Sequence, residues 1–189
     1  YERNILKDIN IKIVVIIGSI SKNSNTRKSV NLVVDEINKH ENCTVEIVDP
    51  RDYNLPIPGS GIMNKDRKKL QDIVKNANGA VLATPEYNGS FSSIIKMIIE
   101  NLGYPSELSG KPIALLGVAS GDMGAIKSIE ALRGVCAHIG GIVLPNATSI
   151  SHVQDHFDAE GNCIDEKTEK RIRRVGTSLV KYINDYNSY

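Results

Sequence analysis

No apolar run in this chain is long enough to cross a membrane, neither sign of charge prevails, and cysteine is scarce. The longest uninterrupted apolar stretch, Ile13 to Ile17, falls far short of the ~20 residues a bilayer requires. The first ten residues are too polar to form the apolar core of a secretory signal. With 23 Lys+Arg against 22 Asp+Glu the formal charge is +1, without the basic excess that draws a protein onto nucleic acid or acidic lipid. Neither partner is therefore expected. Three cysteines, Cys43, Cys136 and Cys163, are odd in number and widely spaced, with no C-x-x-C. That excludes a disulfide framework and a zinc knuckle, and it fits a reducing, cytoplasmic setting. The N-x-[ST] sequons beginning at Asn42, Asn88 and Asn146 are then chance matches.

Several motifs are missing as well. There is no G-x-x-x-x-G-K-[ST], no G-x-G-x-x-G and no G-x-S-x-G, so a triphosphate loop, a pyrophosphate-binding turn and a hydrolase nucleophile elbow all drop out. His152 and His156 stand four apart with Asp155 between them, a spacing that binds zinc on a helix. The H-E-x-x-H glutamate and a third ligand are absent, so no metal site is expected. Cys136 lies among apolar helix residues and reads as core rather than nucleophile.

What is present is an alternation of strands and helices. Ile11 to Ile17 is β-branched and continuous, the texture of a strand covered on both faces. Thr44 to Val48, Ala80 to Thr84, Pro112 to Val118 and Gly141 to Leu144 are the further strand candidates. Helical periodicity covers Thr26 to Lys39, Lys65 to Asn76, Ser92 to Leu102, Met123 to Ile139 and Asp165 to Tyr186. At 189 residues this order predicts one α/β domain spanning 1–189, a flavodoxin-like three-layer sandwich with a five-stranded parallel sheet in the order 2-1-3-4-5. Two segments are irregular, Asp49 to Asn64 and Pro145 to Ile164, and loops that long are more often functional than idle. The helix from Ser92 to Leu102 is apolar nearly all round, which predicts cover on both sides, by the sheet and by a second subunit.

Ligands of such sheets sit outside the carboxyl ends of the strands. After the first strand comes Gly18-Ser19-Ile20-Ser21-Lys22-Asn23-Ser24-Asn25-Thr26, a tight turn with hydroxyl donors ahead of a helix N-terminus, with Lys22 and Arg27 nearby. Such a turn is either a cradle for a single terminal phosphate or a plain helix-capping turn. After the third strand comes Thr84-Pro85-Glu86-Tyr87-Asn88-Gly89-Ser90. Tyr87 offers a flat apolar face and the backbone offers amide donors, as a flavin ring needs; the plainer reading is a Pro turn leading to a helix cap at Ser90 or Ser92. After the fourth strand, Ser120 and Gly121 are small enough for backbone to approach a ring closely.

Taken together, the three loops and their strands resemble the NAD(P)H-dependent FMN reductase family, the flavodoxin-like quinone, azo and chromate reductases, over most of the chain. The likeness rests on Gly18, Ser19, Ser24 and Thr26 in the first loop, on Pro85 to Ser90 as an unaltered PEYNGS, and on Lys96 in the helix that follows. Ser120-Gly121, Leu132-Arg133 and the Phe157 to Gly161 segment FDAEG add to it. PEYNGS is the specific element. The resemblance implies FMN as cofactor and NADPH or NADH as electron donor. It places Ser19, Ser21, Ser24, Asn25 and Thr26 at the phosphate, and Pro85, Glu86, Tyr87, Asn88, Ser120 and Gly121 around the ring. It implies a small-molecule electron acceptor and a homodimer, or a tetramer of paired dimers, with no catalytic side chain needed. Ser21 replaces the family's phosphate-loop arginine, leaving Lys22 and Arg27 as the nearby cations. Ser92-Ser93 stand in place of Pro-Gly, and Asn101 stands where an aromatic is usual, at the expected dimer edge of the pocket.

Two other classes remain in view. A flavodoxin-type electron carrier shares the fold, but such carriers are strongly acidic and this chain is neutral; a flavin-free regulatory homologue is the other. A receiver domain would need an acidic pair after the first strand and an Asp after the third, where Gly18-Ser19 and Thr84-Pro85 stand.

Overall fold

The computed structural model describes residues 10–186; the polar leading segment before Asn10 lies outside the described residues. β1 (Ile11–Ile17) runs parallel between β2 (Cys43–Val48) and β3 (Gly79–Tyr87), with Ile13 beside both Val45 and Gly79. β3 pairs in parallel with β5 (Pro112–Val118), and β4 (Ser90–Phe91) folds back antiparallel onto the end of β3. The last position in the sheet is shared by two short parallel segments, β6 (Ile142–Val143) beside Pro112 and Ile113 and β7 (Thr148–Ile150) beside Leu116 to Val118. The order β2-β1-β3-β5-β6 is the expected doubly wound arrangement.

The alternation within β1 explains the layers. Ile11, Ile13, Val15 and Ile17 join a core with α1 (Asn25–Ile37) and α5 (Glu166–Tyr186). Val14 and Ile16 face the other way, into a core with α2 (Lys65–Lys75), α3 (Ser93–Asn101) and α4 (Ile126–His138). A strand buried on both faces needs no polar alternation, which is why its sequence reads as an unbroken apolar run.

Two expectations need correction. The fifth strand was expected only at Gly141 to Leu144, but much of that position is filled by Thr148–Ile150, inside the segment read as irregular. Pro145 cannot donate to a ladder, and Asn146 adopts φ 60, so the chain leaves the sheet and re-enters it. A three-residue strand with two hydroxyl side chains carries too little apolar signal to be read. The apolar α3 was expected to be covered by the sheet and by a second subunit, on the ground that the chain has no further layer to offer. Part of the outer cover comes from the chain itself, with Ile95, Ile98, Ile99 and Leu102 buried in a core that also takes in Leu70, Leu108, Tyr53 and Leu55. Ile94 and Met97 remain only half-buried. Asn101, expected at a pocket edge, turns inward: its Nδ2 donates to Pro56 O at 3.1 Å and Met97 O at 2.9 Å, pinning the proline-rich segment over α3.

The cysteines are free. Cys136 is fully buried between α4 and the sheet, and loss of hydration pushes its thiol up to about 12, with the charge of Arg133 pulling the other way. In folded protein at mildly alkaline pH, iodoacetamide should therefore modify half-buried Cys163 well before Cys136, as read by peptide mass spectrometry. Modification of Cys136 at the rate of a free thiol would contradict its place in the core.

Candidate cofactor site

The carboxyl ends of β1, β3 and β5 lie side by side, and α1, α3 and α4 begin just beyond them. Three helix N-termini, with their unpaired N–H groups and positive dipole ends, thus border one crevice. The turn after β1 is clamped to the next strand. Gly18 N donates to Ala83 O at 2.7 Å, and a Cβ on Gly18 would lie 2.8 Å from that oxygen and 3.1 Å from Ser92 Oγ. Only glycine fits there. Ser92 Oγ donates to Gly18 O at 2.6 Å and accepts from Ile95 N at 3.1 Å. The same residue's backbone N–H donates to Thr84 Oγ1 at 3.0 Å, and that hydroxyl donates to Pro85 O at 2.9 Å. Every member of this network is buried.

Ser19, Ser24 and Thr26 are nearly buried in the first loop, while Ser21 and Lys22 are exposed. Ser24 caps α1, accepting from Arg27 N at 3.2 Å, and Ser19 Oγ accepts from Ser21 N at 3.4 Å. Asn25 opens the helix. The loop is therefore a helix cap, the plainer of the two readings made from sequence, and it carries further hydroxyls at Ser19, Ser21 and Thr26. Arg27 is half-buried, and its guanidinium lies against Asp49. Burial works against ionisation of Asp49, but the hydrogen bonds from Arg51 and the nearby Arg27 outweigh it and hold the carboxyl below its usual range.

The second element is a hairpin rather than a loop. β3 continues to Tyr87, Tyr87 pairs with Ser90, and Asn88 (φ 52) and Gly89 (φ 74) form the two-residue turn. Asn-Gly favours this geometry because both central residues need positive φ. Pro85 is buried in the strand, while Tyr87 and Asn88 are exposed at the tip. Glu86 turns to the next helix: its Oε2 accepts from Ser128 N at 3.0 Å, capping α4, whose own cap residue Ala125 has no side-chain acceptor. The negative carboxylate suits that positive end.

In the third loop, Ser120 and Gly121 are exposed. Gly121 has a negative φ, and a Cβ there would meet no atom within 4 Å. Neither backbone conformation nor a protein neighbour requires a glycine at this place. His152 Nε2 sits 2.6 Å from Asp122 Oδ1 and steadies this loop. His156 ends a 3-10 turn, Val153–His156, that His152 precedes in the left-handed region, so the pair does not share an α-helical face as its spacing suggested. Ile20, Tyr87 and Met123, one from each loop, are exposed large apolar side chains. Two hollows lie away from the crevice, one of about 700 Å³ between β1, β2 and α2 and one of about 1170 Å³ between α3 and α4.

Residues 11–155, which contain all three loops, match the family model for NADPH-dependent FMN reductase. The chain belongs to that family. It is 27% identical over 191 residues to a 2-hydroxy-1,4-benzoquinone reductase of a Burkholderia species, covering 93% of this chain and 97% of that protein. It is 32% identical over 150 residues to an NADPH azoreductase of Bacillus sp. (strain OY1-2), covering 77% and 80%. Among solved structures, the flavoenzyme NAD(P)H:(acceptor) oxidoreductase FerB from Paracoccus denitrificans superposes with a TM-score of 0.76 at 24% identity, covering 93% and 98%. An archaeal flavodoxin superposes with 0.63 at 15%, covering 92% and 99%. These two likenesses establish the flavodoxin-like fold. The enzyme class expected from the sequence, an NAD(P)H-dependent FMN reductase, is that of the family.

Sequence reading missed three contributors. Ser92, expected only as a helix cap, also reaches across 74 residues to Gly18, and Thr84 accepts its backbone N–H, contacts that local pattern cannot show. Lys127 lays its side chain over the hairpin, its Cδ 3.6 Å from where a Gly89 Cβ would stand. A lysine in the first turn of a helix opposes the dipole, and that was the available signal. Replacing Ser92 by Ala should lower stability by about 2 kcal/mol, because it removes a helix cap and strands the buried Gly18 carbonyl. The urea midpoint checks this; an unchanged midpoint would show that the two loops are held together by something else.

Proposed function

We infer that this chain binds FMN across the three loops and uses it to carry reducing equivalents from NADPH or NADH to a small-molecule acceptor. Quinones and azo compounds are the acceptor classes favoured by the names of its relatives. The convergence of three helix N-termini with one exposed apolar side chain per loop carries this reading: it offers an anion-binding end and flat apolar contacts in one crevice. When bound, FMN supplies hydride acceptance and delivery, chemistry that no side chain here performs.

The chain's own task is to bind and orient. Ser19, Ser21, Ser24, Asn25 and Thr26 surround the phosphate with hydroxyls and N–H groups at the start of α1. Pro85 stiffens the strand end, Tyr87 gives the ring a flat neighbour, and Asn88 holds the hairpin tip. Glu86 contributes by fixing the hairpin to α4, which is a positioning role rather than a direct contact. Ser120 and Gly121 admit backbone close to the ring. Fixed N–H dipoles at the crevice stabilise negative charge gained on reduction. One domain carries the whole site, and with no helix among the described residues long and apolar enough to cross a membrane, a cytoplasmic setting suits its free thiols.

The hollow between α3 and α4, with Tyr104 98% exposed at its margin, is the face offered to a second copy in a homodimer, with pairing of dimers as the further step. Light scattering at twice the chain mass supports this; a monomer at micromolar concentration overturns it.

Purified protein should show flavin absorption bands. In stopped-flow mixing it should oxidise NADPH or NADH alone and regain its oxidised spectrum on addition of a quinone. Tyr87→Ala with Asn88→Ala should fold and copurify with less flavin. Reduction only through a partner protein would make the chain an electron carrier, and protein that stays colourless with added FMN would end the flavin reading.

A further inference from the structure

His152 and His156 form the histidine pair to which the sequence assigned no role, and His152 sits in an unusual backbone position. It takes φ 47 and ψ 38, just ahead of the 3-10 turn Val153–His156. Among the described residues, the non-glycine positions with positive φ are Asn88, Asn146 and His152. A histidine in the left-handed region is held there by its surroundings, and such positions concentrate at functional sites. Here the surroundings are the third loop. Val153 N donates to Ala119 O at 3.1 Å and Ala119 N to Ile150 O at 2.9 Å. Gln154 Nε2 donates to Ser120 O at 3.5 Å, and Ala125 N to Ser149 Oγ at 2.8 Å. Residues 149–154 thus grip both ends of the loop. Between those ends, His152 Nε2 lies 2.6 Å from Asp122 Oδ1.

Stability does not explain that contact. The Asp122 side chain is 93% exposed and that of His152 45%, and a pair so open to water contributes little to folding. Among the described residues, His152 is the ion-pair partner of Asp122. The imidazole faces a second carboxylate as well, with Nδ1 3.9 Å from Asp155 Oδ2. Asp155 stays with its own turn, where Gln154 Nε2 donates to it at 3.3 Å. Asp122 is the charge that matters for the crevice, because it follows Ser120 and Gly121 directly in the chain. A carboxylate beside the ring opposes the negative charge that the ring gains on reduction. A nitrogen donor on that carboxylate disperses its charge and ties it to the 3-10 turn.

We propose that the His152–Asp122 pair tunes the reduction potential of the bound flavin, His152 holding the Asp122 carboxylate so that it does not oppose reduction of the ring. The proposal rests on the FMN reading above. His152 is a positioning residue that acts through Asp122. Its left-handed backbone and the grip of residues 149–154 on the loop serve to present the imidazole to that carboxylate.

The test is the midpoint potential of FMN-loaded protein, titrated against a redox dye of known potential at about pH 8, where an unpartnered imidazole is neutral. His152→Gly keeps the left-handed backbone and removes the imidazole. It should weaken the affinity for reduced relative to oxidised FMN by about 3- to 10-fold, which lowers the potential by about 15 to 30 mV for a two-electron couple. Asp122→Asn should raise the potential. Adding His152→Gly to Asp122→Asn should then change nothing further, because the carboxylate through which His152 acts is gone. Equal shifts from His152→Gly in both backgrounds would mean that the imidazole only props the loop, and would overturn the proposal, as would no shift in either. If His152→Gly retains no FMN, the potential of Asp122→Asn decides alone, an unchanged value counting against the pair. Wild-type protein that binds no FMN would instead remove the parent reading.

Discussion

A single buried hydroxyl holds the crevice together. Ser92 Oγ donates to the Gly18 carbonyl and accepts from the first turn of α3, so the turn after β1 and the start of a helix meet at one oxygen, while the backbone N–H of the same residue donates to Thr84 of β3. A hydroxyl has one donor and two acceptor sites, and here the donor and one acceptor are used within the protein. Gly18 is required because any Cβ would enter this contact. The turn after β1 and the hairpin after β3 are therefore fixed relative to each other by the fold itself, as a preformed site requires.

Around that junction the charges follow from helix geometry. Three helices start at the crevice, and each start is completed differently. α1 is capped by Ser24, α3 by Ser92, and α4 by the Glu86 carboxylate from the hairpin. Two cations, Arg27 and Lys127, nevertheless lie in first turns where the dipole opposes them. Helix stability alone does not account for that arrangement. The field of the site is thus built from backbone as much as from side chains, in keeping with a chain whose net charge is only +1.

Much of this was legible in the residues. The unbroken Ile/Val run of β1 fixed a doubly covered strand, and the alternation of strands and helices fixed the sheet order, because parallel sheets buried on both faces allow few other textures. Reading Thr84 to Ser90 as a loop missed that it closes a hairpin, although the Asn88-Gly89 pair carries the signal of a two-residue turn with positive φ. Three features escaped because their causes are not local. The split of the final strand depends on where Pro145 breaks the ladder. The cover over α3 comes from the proline-rich segment that Asn101 ties down. The direction of Arg27 is set by a carboxylate at the end of β2. Composition can say that such residues are present, but only the fold says what they face.

The central claim is that one flavin bridges the turns after β1, β3 and β5. Backbone hydrogen exchange with and without FMN tests it most directly. The account predicts slowed exchange at residues 19–25, 87–89 and 119–121 together, with no change in the hollow beside α2. Protection confined to a single loop, or appearing between α3 and α4 instead, would contradict it.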